Sequence, residues 1–480
     1  MDLKQVLVEK FGLTEFRPGQ QEVIEAILKG QDALALMPTG SGKSLCFQLP
    51  ALLLEGLTIV ISPLIALMKD QVDALVIKNI SATFLNSSLS EGEYRQKVEE
   101  IKNSKYKILY VAPERFGNEG FRELVRTLKV SLLVIDEAHC ISQWGHDFRP
   151  DYRKMKQARE LLGNPPVLAA TATATPEVKE DIVKQLGMNN PLIKVTGFDR
   201  PNLTLMGESF YDEESKSKAF YTETAKILSN SAASPVSTII YCGTRNMCEK
   251  LSQDLNSVAS RRFGIPKLSL PYHADLTKTE RDQVQEFFIS DKVPWIIATI
   301  AFGMGIDKPN IRNVLHYTIP ASVEAYYQEV GRAGRDGKPS SCKLFYCAKD
   351  ISLRHFFIEI GHPSRYVFEQ TYKTLHRMVT PGTIKKITYE EISRVVSKQS
   401  IVRGQVKTCL TLLKHAGVFI APRRGQVVLP IESVAFDGLK INYQDMEARK
   451  EREVARLEEM KNLVAANDKK KFILRYFGEI

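Results

Sequence analysis

Short, wholly apolar runs alternate with stretches of helical periodicity over the first 350 residues, and nothing else in the sequence restricts the fold as much. "ALALM" (33–37), "LTIVIS" (57–62), "KILYVA" (107–112), "LLVID" (132–136) and "PVLAATAT" (166–173) have strand length and leave no polar face for solvent. Strands buried on both faces belong to a parallel sheet covered by helices. A second series follows: "STIIYC" (237–242), "LSLPYHA" (268–274), "PWIIAT" (294–299), "VLHYT" (314–318) and "KLFYC" (343–347). The pattern predicts two tandem α/β domains, 1–205 and 206–350, joined near 197–217, where polar residues break the periodicity.

Beyond residue 350 the pattern turns helical, giving a third region over 351–480. Residues 382–430 carry nine Lys+Arg against two Asp+Glu. Thr388 and Glu391 form a capping box before "YEEISRVVS", and Ser400 is the expected cap of a second helix that ends at Gly417. On that helix Val402, Val406, Leu410 and Leu413 share one face, and Arg403, Lys407 and Lys414 another. "VFIAPRRGQVVLP" reads as a hairpin with Arg423, Arg424 and Gly425 at its tip. A winged-helix-like module is expected over 382–430, the alternative being a helical pair that only solvates its outer face. A long charged helix is expected over 443–467.

Charge then narrows the partner. With 66 Lys+Arg against 56 Asp+Glu the 480-residue chain carries a formal +10, which favours an anionic partner, nucleic acid first. The start, "MDLKQVLVEKFG", has no apolar signal core, and the most apolar run (57–68) is broken by Pro63, so neither secretion nor membrane spanning is expected. Seven scattered cysteines without a CxxC pair suit reduced thiols in a cytosolic or nuclear protein.

Three stretches carry chemistry. "ALALMPTGSGKSLCFQLP" places a glycine-rich loop between a strand and a helix, so that the backbone of Thr39, Gly40, Ser41 and Gly42 surrounds a phosphate, Lys43 neutralises it and Ser44 holds Mg²⁺. Met37 stands where the strict pattern has its first glycine. Asp136 and Glu137 end another apolar strand, as metal ligand and as the carboxylate that orients and deprotonates a water; alone, such a pair is as often a solvated cap. In "YYQEVGRAGRDG", Arg332 and Arg335 suit the spread charge of a transferring phosphoryl group, although this spacing also occurs in plain surface pairs.

Together with "FGLTEFRPGQQ" (11–21), "SPLIALMKDQ" (62–71), "YVAPER" (110–115), "DEAHCISQWGHDFRP" (136–150), "TATAT" (171–175), "YHADL" (272–276), "ATIAFGMGIDKPNIR" (298–312) and "QEVGRAGRDG" (328–337), these stretches resemble the RecQ family of superfamily 2 DNA helicases over residues 1–350. The resemblance implies two RecA-like domains that hydrolyse ATP with Mg²⁺ to move 3′ to 5′ on single-stranded DNA and separate forked duplex, as in DNA repair and recombination. It assigns Arg17 and Gln20 to the adenine and Gly305 and Asp307 to the nucleotide from the second domain, though Asp307 also suits a cap before Pro309. It makes "SQWGHDFRP" the aromatic-rich loop, in which Trp144, His146, Phe148 and Arg149 contact DNA and shift Glu137. Plain packing against the neighbouring domain is the other reading of Trp144 and Phe148. Thr171 and Thr173 fit the relay between nucleotide and DNA. Arg403, Lys407, Arg423 and Arg424 are the expected phosphate contacts of the C-terminal region. Asp468 stands where the family has its first zinc cysteine, so no zinc is expected.

Overall fold

The computed structural model describes residues 2–63, 65–86, 89–231, 234–303, 308–422, 425–432, 434–439 and 441–480. Gly305, Asp307, Arg423 and Arg424 therefore lie outside the described residues. Packing divides the chain into two compact units, Met1–Phe210 with Glu214–Tyr346 and Asn462–Ile480, and Tyr211–Glu213 with Cys347–Lys461.

The first unit holds two sheets. Strands β1 (Ala33–Leu36), β2 (Leu57–Ile61), β3 (Ala82–Leu85), β4 (Ile108–Val111), β5 (Val130–Asp136), β6 (Val167–Thr171) and β7 (Leu192–Val195) form one in the order β3-β4-β2-β5-β6-β1-β7. Every pairing in it is parallel. Apart from edge strand β7 its strands are mostly buried, and Val23, Ile27, Phe47 and Met68 from the covering helices complete the core. At about 1.5–3 kcal/mol for each fully buried side chain of this size, such packing is what holds a parallel sheet together.

Strands β8 (Leu203–Phe210), β9 (Thr238–Tyr241), β10 (Ser269–Tyr272), β11 (Trp295–Ala298), β12 (Asn313–His316) and β13 (Ser340–Cys347) form the second sheet in the order β10-β11-β9-β12-β13-β8. Phe220, Leu251, Leu255, Trp295 and Phe345 are central to its core. The stretch 197–217, read from sequence as a joint, contains β8. Its "LTLMGESF" alternates apolar with polar residues because it is an edge strand, and the apolar-run criterion passes over such a strand.

In the second unit, helix Arg365–Met378, β14 (Ile384–Lys386), helices Tyr389–Val396 and Ser400–His415, a bridge from Ile420 to Val428 and β15 (Gln426–Val428) follow one another. β14 and β15 pair antiparallel. Val367, Phe368 and Leu375 of helix Arg365–Met378 share one core with these elements, so the packed unit extends upstream of residue 382. The capping box of Thr388 and Glu391 is present. Ser400 is not the cap of the next helix: Gln399 holds that place, without a side-chain hydrogen bond, and Ser400 is already inside the helix. The helix stops at His415, and Gly417 takes φ 77°, the left-handed turn that glycine makes without strain. A long helix, Tyr443–Ala465, and a short one, Lys469–Tyr476, follow. Asp468 caps the short one by accepting a hydrogen bond from the Lys471 N–H at 2.9 Å.

Candidate nucleotide and nucleic-acid site

In the first sheet β6 has β5 on one side and β1 on the other, so the ends of these three strands stand side by side. Thr39–Ser44 leaves β1, Asp136 and Glu137 end β5, and Thr171 ends β6. Sites in open parallel sheets form at this end. Gly40 and Gly42 take φ 82° and 85°, a curl that turns backbone N–H groups inward and that side chains strain against.

Lys43 is anchored by donating from Nζ to the carbonyls of Met37 at 2.9 Å and Pro38 at 3.2 Å. Burial lowers its pKa, and the charges of Glu137 and Asp136 oppose that shift. Burial, and then the charge of Glu137, push Asp136 up to about 7, with Lys43 opposing. An acid held this far up gains most from a cation brought beside it. Glu137 adopts φ 48°, unusual for a residue with a Cβ, and the hydrogen-bonding capacity of its buried Oε2 is unused among the described residues. The Ser41 hydroxyl is likewise buried and unused. A left-handed glycine loop, a partly buried lysine, a raised aspartate and spare oxygens fit a nucleotide phosphate with its divalent cation.

His139 is buried, and its Nδ1 lies 2.9 Å from Thr171 Oγ1. Burial drives it down to about 4, so it stays neutral, and its 3.4 Å approach to Glu137 is not an ion pair. Thr171 hydrogen-bonds onward to the backbone of Thr173, whose hydroxyl accepts from Gln328 Nε2 of the second α/β half at 3.1 Å. Nothing in the identity of Gln328, within "QEVGRAGRDG", marks this contact beforehand.

The two arginines separate. Arg335 reaches across to the loop, where a Cβ built on Gly40 would lie 3.1 Å from its Cγ. Arg332 is buried within its own half, near Gly303 and Tyr241. Its charge eases the burial that pushes the Tyr241 phenol up to about 12.

Gln20 is buried and spends its amide on the protein. It accepts from the Arg17 N–H at 2.8 Å and donates to the carbonyls of Ser41 and Gly42, each at 3.1 Å. Arg17 donates to the Gly40 carbonyl. Here the pair braces the phosphate loop, where the sequence reading gave it an adenine edge. Beside it lies an open pocket of about 420 Å³ lined by Phe16, Arg17, Pro18, Gly19 and Glu22. Phe16 supplies an aromatic wall that the residues alone did not single out.

In the loop after Glu137, Trp144 is 48% exposed, enough to leave ring surface for a base. His146 stacks on His139 with centroids 4.4 Å apart, and Arg153 lies 4.9 Å over the Phe148 ring. Arg149 pairs with Asp147 at 2.9 Å and donates to the Pro63 carbonyl at 3.0 Å. Of the four loop residues named from sequence, His146, Phe148 and Arg149 thus have protein partners in or near the loop, while Trp144 leaves about half its surface exposed.

In the second unit, Lys407 and Lys414 are exposed and Arg403 is half-buried. They share one stripe of helix Ser400–His415. A neighbouring face packs against helix Ala348–Gly361, where Gln405 and Thr408 donate to the carbonyls of Glu359 and Ile360 at 2.8 and 3.0 Å. Among the described residues, no helix is long and apolar enough to cross a membrane.

The profile of the DEAD/DEAH box helicases matches residues 17–182, and that of the helicase conserved C-terminal domain matches 221–337. The chain is 45% identical over 352 residues to the ATP-dependent DNA helicase RecQ of Pasteurella multocida, a match covering 73% of this chain and 53% of the relative. It is 42% identical over 359 residues to the probable ATP-dependent DNA helicase RecS of Bacillus subtilis, covering 75% of this chain and 69% of that protein. It spans 53% and 60% of the RecQ relatives from Pasteurella multocida and Haemophilus influenzae. Among solved structures, the DEAD-box helicase Mss116 bound to single-stranded RNA and UDP-BeF aligns with TM-score 0.59 at 17% identity, covering 98% of this chain and 95% of that one. The helicase Lhr of Mycobacterium smegmatis bound to single-stranded DNA and AMP-PNP aligns with TM-score 0.60 at 20% identity, covering 90% and 60%. At such identities the likeness is one of fold.

Proposed function

The chain belongs to the RecQ family of superfamily 2 helicases, and from that premise we propose that it is an ATP-dependent DNA helicase moving 3′ to 5′ on single-stranded DNA and opening forked duplexes. The observation that carries this reading is the convergence on one phosphate loop of groups from both α/β halves, Asp136 and Glu137 from β5 and Arg335 from beyond β12.

In this reading the loop Thr39–Ser44 holds the β- and γ-phosphates of ATP, and Ser44 and Asp136 hold Mg²⁺, which when bound neutralises phosphate charge. Glu137 orients a water and takes its proton. Lys43 and Arg335 stabilise the charge that spreads over the transferring phosphoryl group, and Arg332 supports Arg335 from within its own half. Arg17, with Phe16, borders the base.

DNA is sensed by stacking on Trp144. A push on that loop passes through the His146–His139 stack to Thr171 and Glu137, so strand contact alters the geometry of hydrolysis. Arg403, Lys407, Arg423 and Arg424 add phosphate contacts from the winged-helix-like unit.

Strand displacement with ATP and Mg²⁺ on duplexes bearing a 3′ or a 5′ single-stranded tail tests the proposal. Opening of the 3′-tailed duplex alone is expected. DNA-stimulated hydrolysis with neither duplex opened would replace the helicase by a translocase or remodeller.

A further inference from the structure

Arg200, in the segment between β7 and β8, has no carboxylate partner among the described residues. Its guanidinium is held by carbonyl oxygens instead. Nη2 donates to Ala333 at 2.9 Å and Gly334 at 3.1 Å, while Nη1 lies 3.4 Å from both Gly331 and Thr39. Three of these carbonyls belong to the turn that carries Arg332 and Arg335, and the fourth belongs to the phosphate loop. A charged fork binding four backbone oxygens in two different α/β halves is a bracket with defined geometry, which a flexible lysine does not reproduce.

Asn202 reinforces the same turn. Its Nδ2 donates to Gly334 at 2.8 Å and Lys338 at 3.0 Å, and its own carbonyl accepts from the Ser340 N–H at 2.9 Å. Gly334 takes φ 55°, and a Cβ there would lie 2.4 Å from Asn202 Nδ2, so the turn is shaped around these two side chains. The segment is pinned at its other end too. The Phe198 carbonyl accepts from the Tyr327 hydroxyl at 3.0 Å, and its ring stacks on Phe477 at 4.4 Å. Burial works against the charge of Arg200, as expected for a cation kept for the geometry it imposes.

We infer that Arg200 is a positioning residue for hydrolysis, aligning the Arg335 turn with the phosphate loop through the carbonyls of Thr39, Ala333 and Gly334. It touches neither nucleotide nor DNA. It sets where Arg335 stands when the two halves meet, and the longer contact to Thr39 is the one that breaks when they part. The inference rests on the ATP-hydrolysis reading above.

The test is DNA-stimulated ATP hydrolysis by the full chain at saturating single-stranded DNA, for wild type, R200A and R200K. A misplacement of about 1 Å in a catalytic group costs about 10²-fold, so kcat of R200A is expected to fall about 10- to 100-fold while KM for ATP stays within about twofold. R200K should regain only part of the loss, because an ammonium lacks the planar fork. Millimolar guanidinium ion should restore part of R200A turnover and leave wild type unchanged. A purely structural arginine would lower the melting temperature without this split between kcat and KM. The inference is overturned by normal kcat in R200A, by a loss confined to KM, or by full recovery in R200K. If R200A does not fold, R200K decides alone: a drop of about tenfold in kcat supports the inference, and kcat within about twofold of wild type overturns it. A wild-type chain that hydrolyses no ATP with DNA would instead defeat the underlying reading, which keeps the two failures apart.

Discussion

Two regions of this molecule gather positive charge, and they do so in opposite ways. Around the phosphate loop the cations are embedded: Lys43 grips two backbone carbonyls, Arg332 is 5% exposed and Arg200 is held by four carbonyl oxygens. On helix Ser400–His415 Lys407 and Lys414 stand exposed to water. An embedded cation has one position and acts on one atom, so its loss is felt as a rate. A solvated cation moves and is screened, so its loss is felt as salt-dependent affinity.

The largest effect expected from this contrast is at Arg335. Its replacement by Ala should lower kcat by about 10³-fold or more while ATP still binds, as single-turnover hydrolysis would record. Glu137→Gln comes next: about 10²- to 10⁴-fold slower turnover with nucleotide affinity retained, and near-normal turnover would falsify its assignment as the base. Trp144→Ala tests whether the exposed ring belongs with the embedded group. It should cut DNA stimulation of the ATPase several-fold and leave the DNA-free rate alone, because one stacking platform is worth about 1–3 kcal/mol. Lys407→Glu should leave kcat at saturating DNA unchanged, weaken DNA binding and flatten the plot of log affinity against log salt by about one unit; an unaltered slope would remove this helix from the interface. The smallest effect is at His139. Its pKa is held at about 4, below its unfolded value near 6.5, so its contribution is fully present above 6.5 and is lost as pH falls towards 4. Thermal melts should show wild type losing more stability than His139→Asn over that interval.

The same contrast explains what could be read in the residues alone. The central strands announced themselves because burial on both faces demands unbroken apolar runs, and the phosphate loop and the acidic pair sit at the ends of such runs. β3, β7 and β8 were passed over: "ATFL" and "LIKV" are short, each broken by a polar residue, and "LTLMGESF" is an edge strand. Arg200 and Asn202 lay in a segment that looked like a plain joint, since their partners are backbone carbonyls and carbonyls leave no trace in side-chain identity. The contacts of Gln20 to Ser41 and Gly42 were equally hidden, because an amide has the same donor and acceptor whatever it faces. In the C-terminal region the capping box was legible in the residues, whereas the share of helix Arg365–Met378 in the same core was not, because that helix lies upstream of the basic stretch.

The left-handed backbone at Glu137 has a consequence for how this chain can change. Holding a branched-free but bulky acid at φ 48° costs about 1 kcal/mol, which asparagine at the same place largely avoids. Glu137→Asn is thus expected to fold at least as stably as wild type while hydrolysing nothing. Stability alone would therefore favour another residue here, so the glutamate trades endurance for turnover.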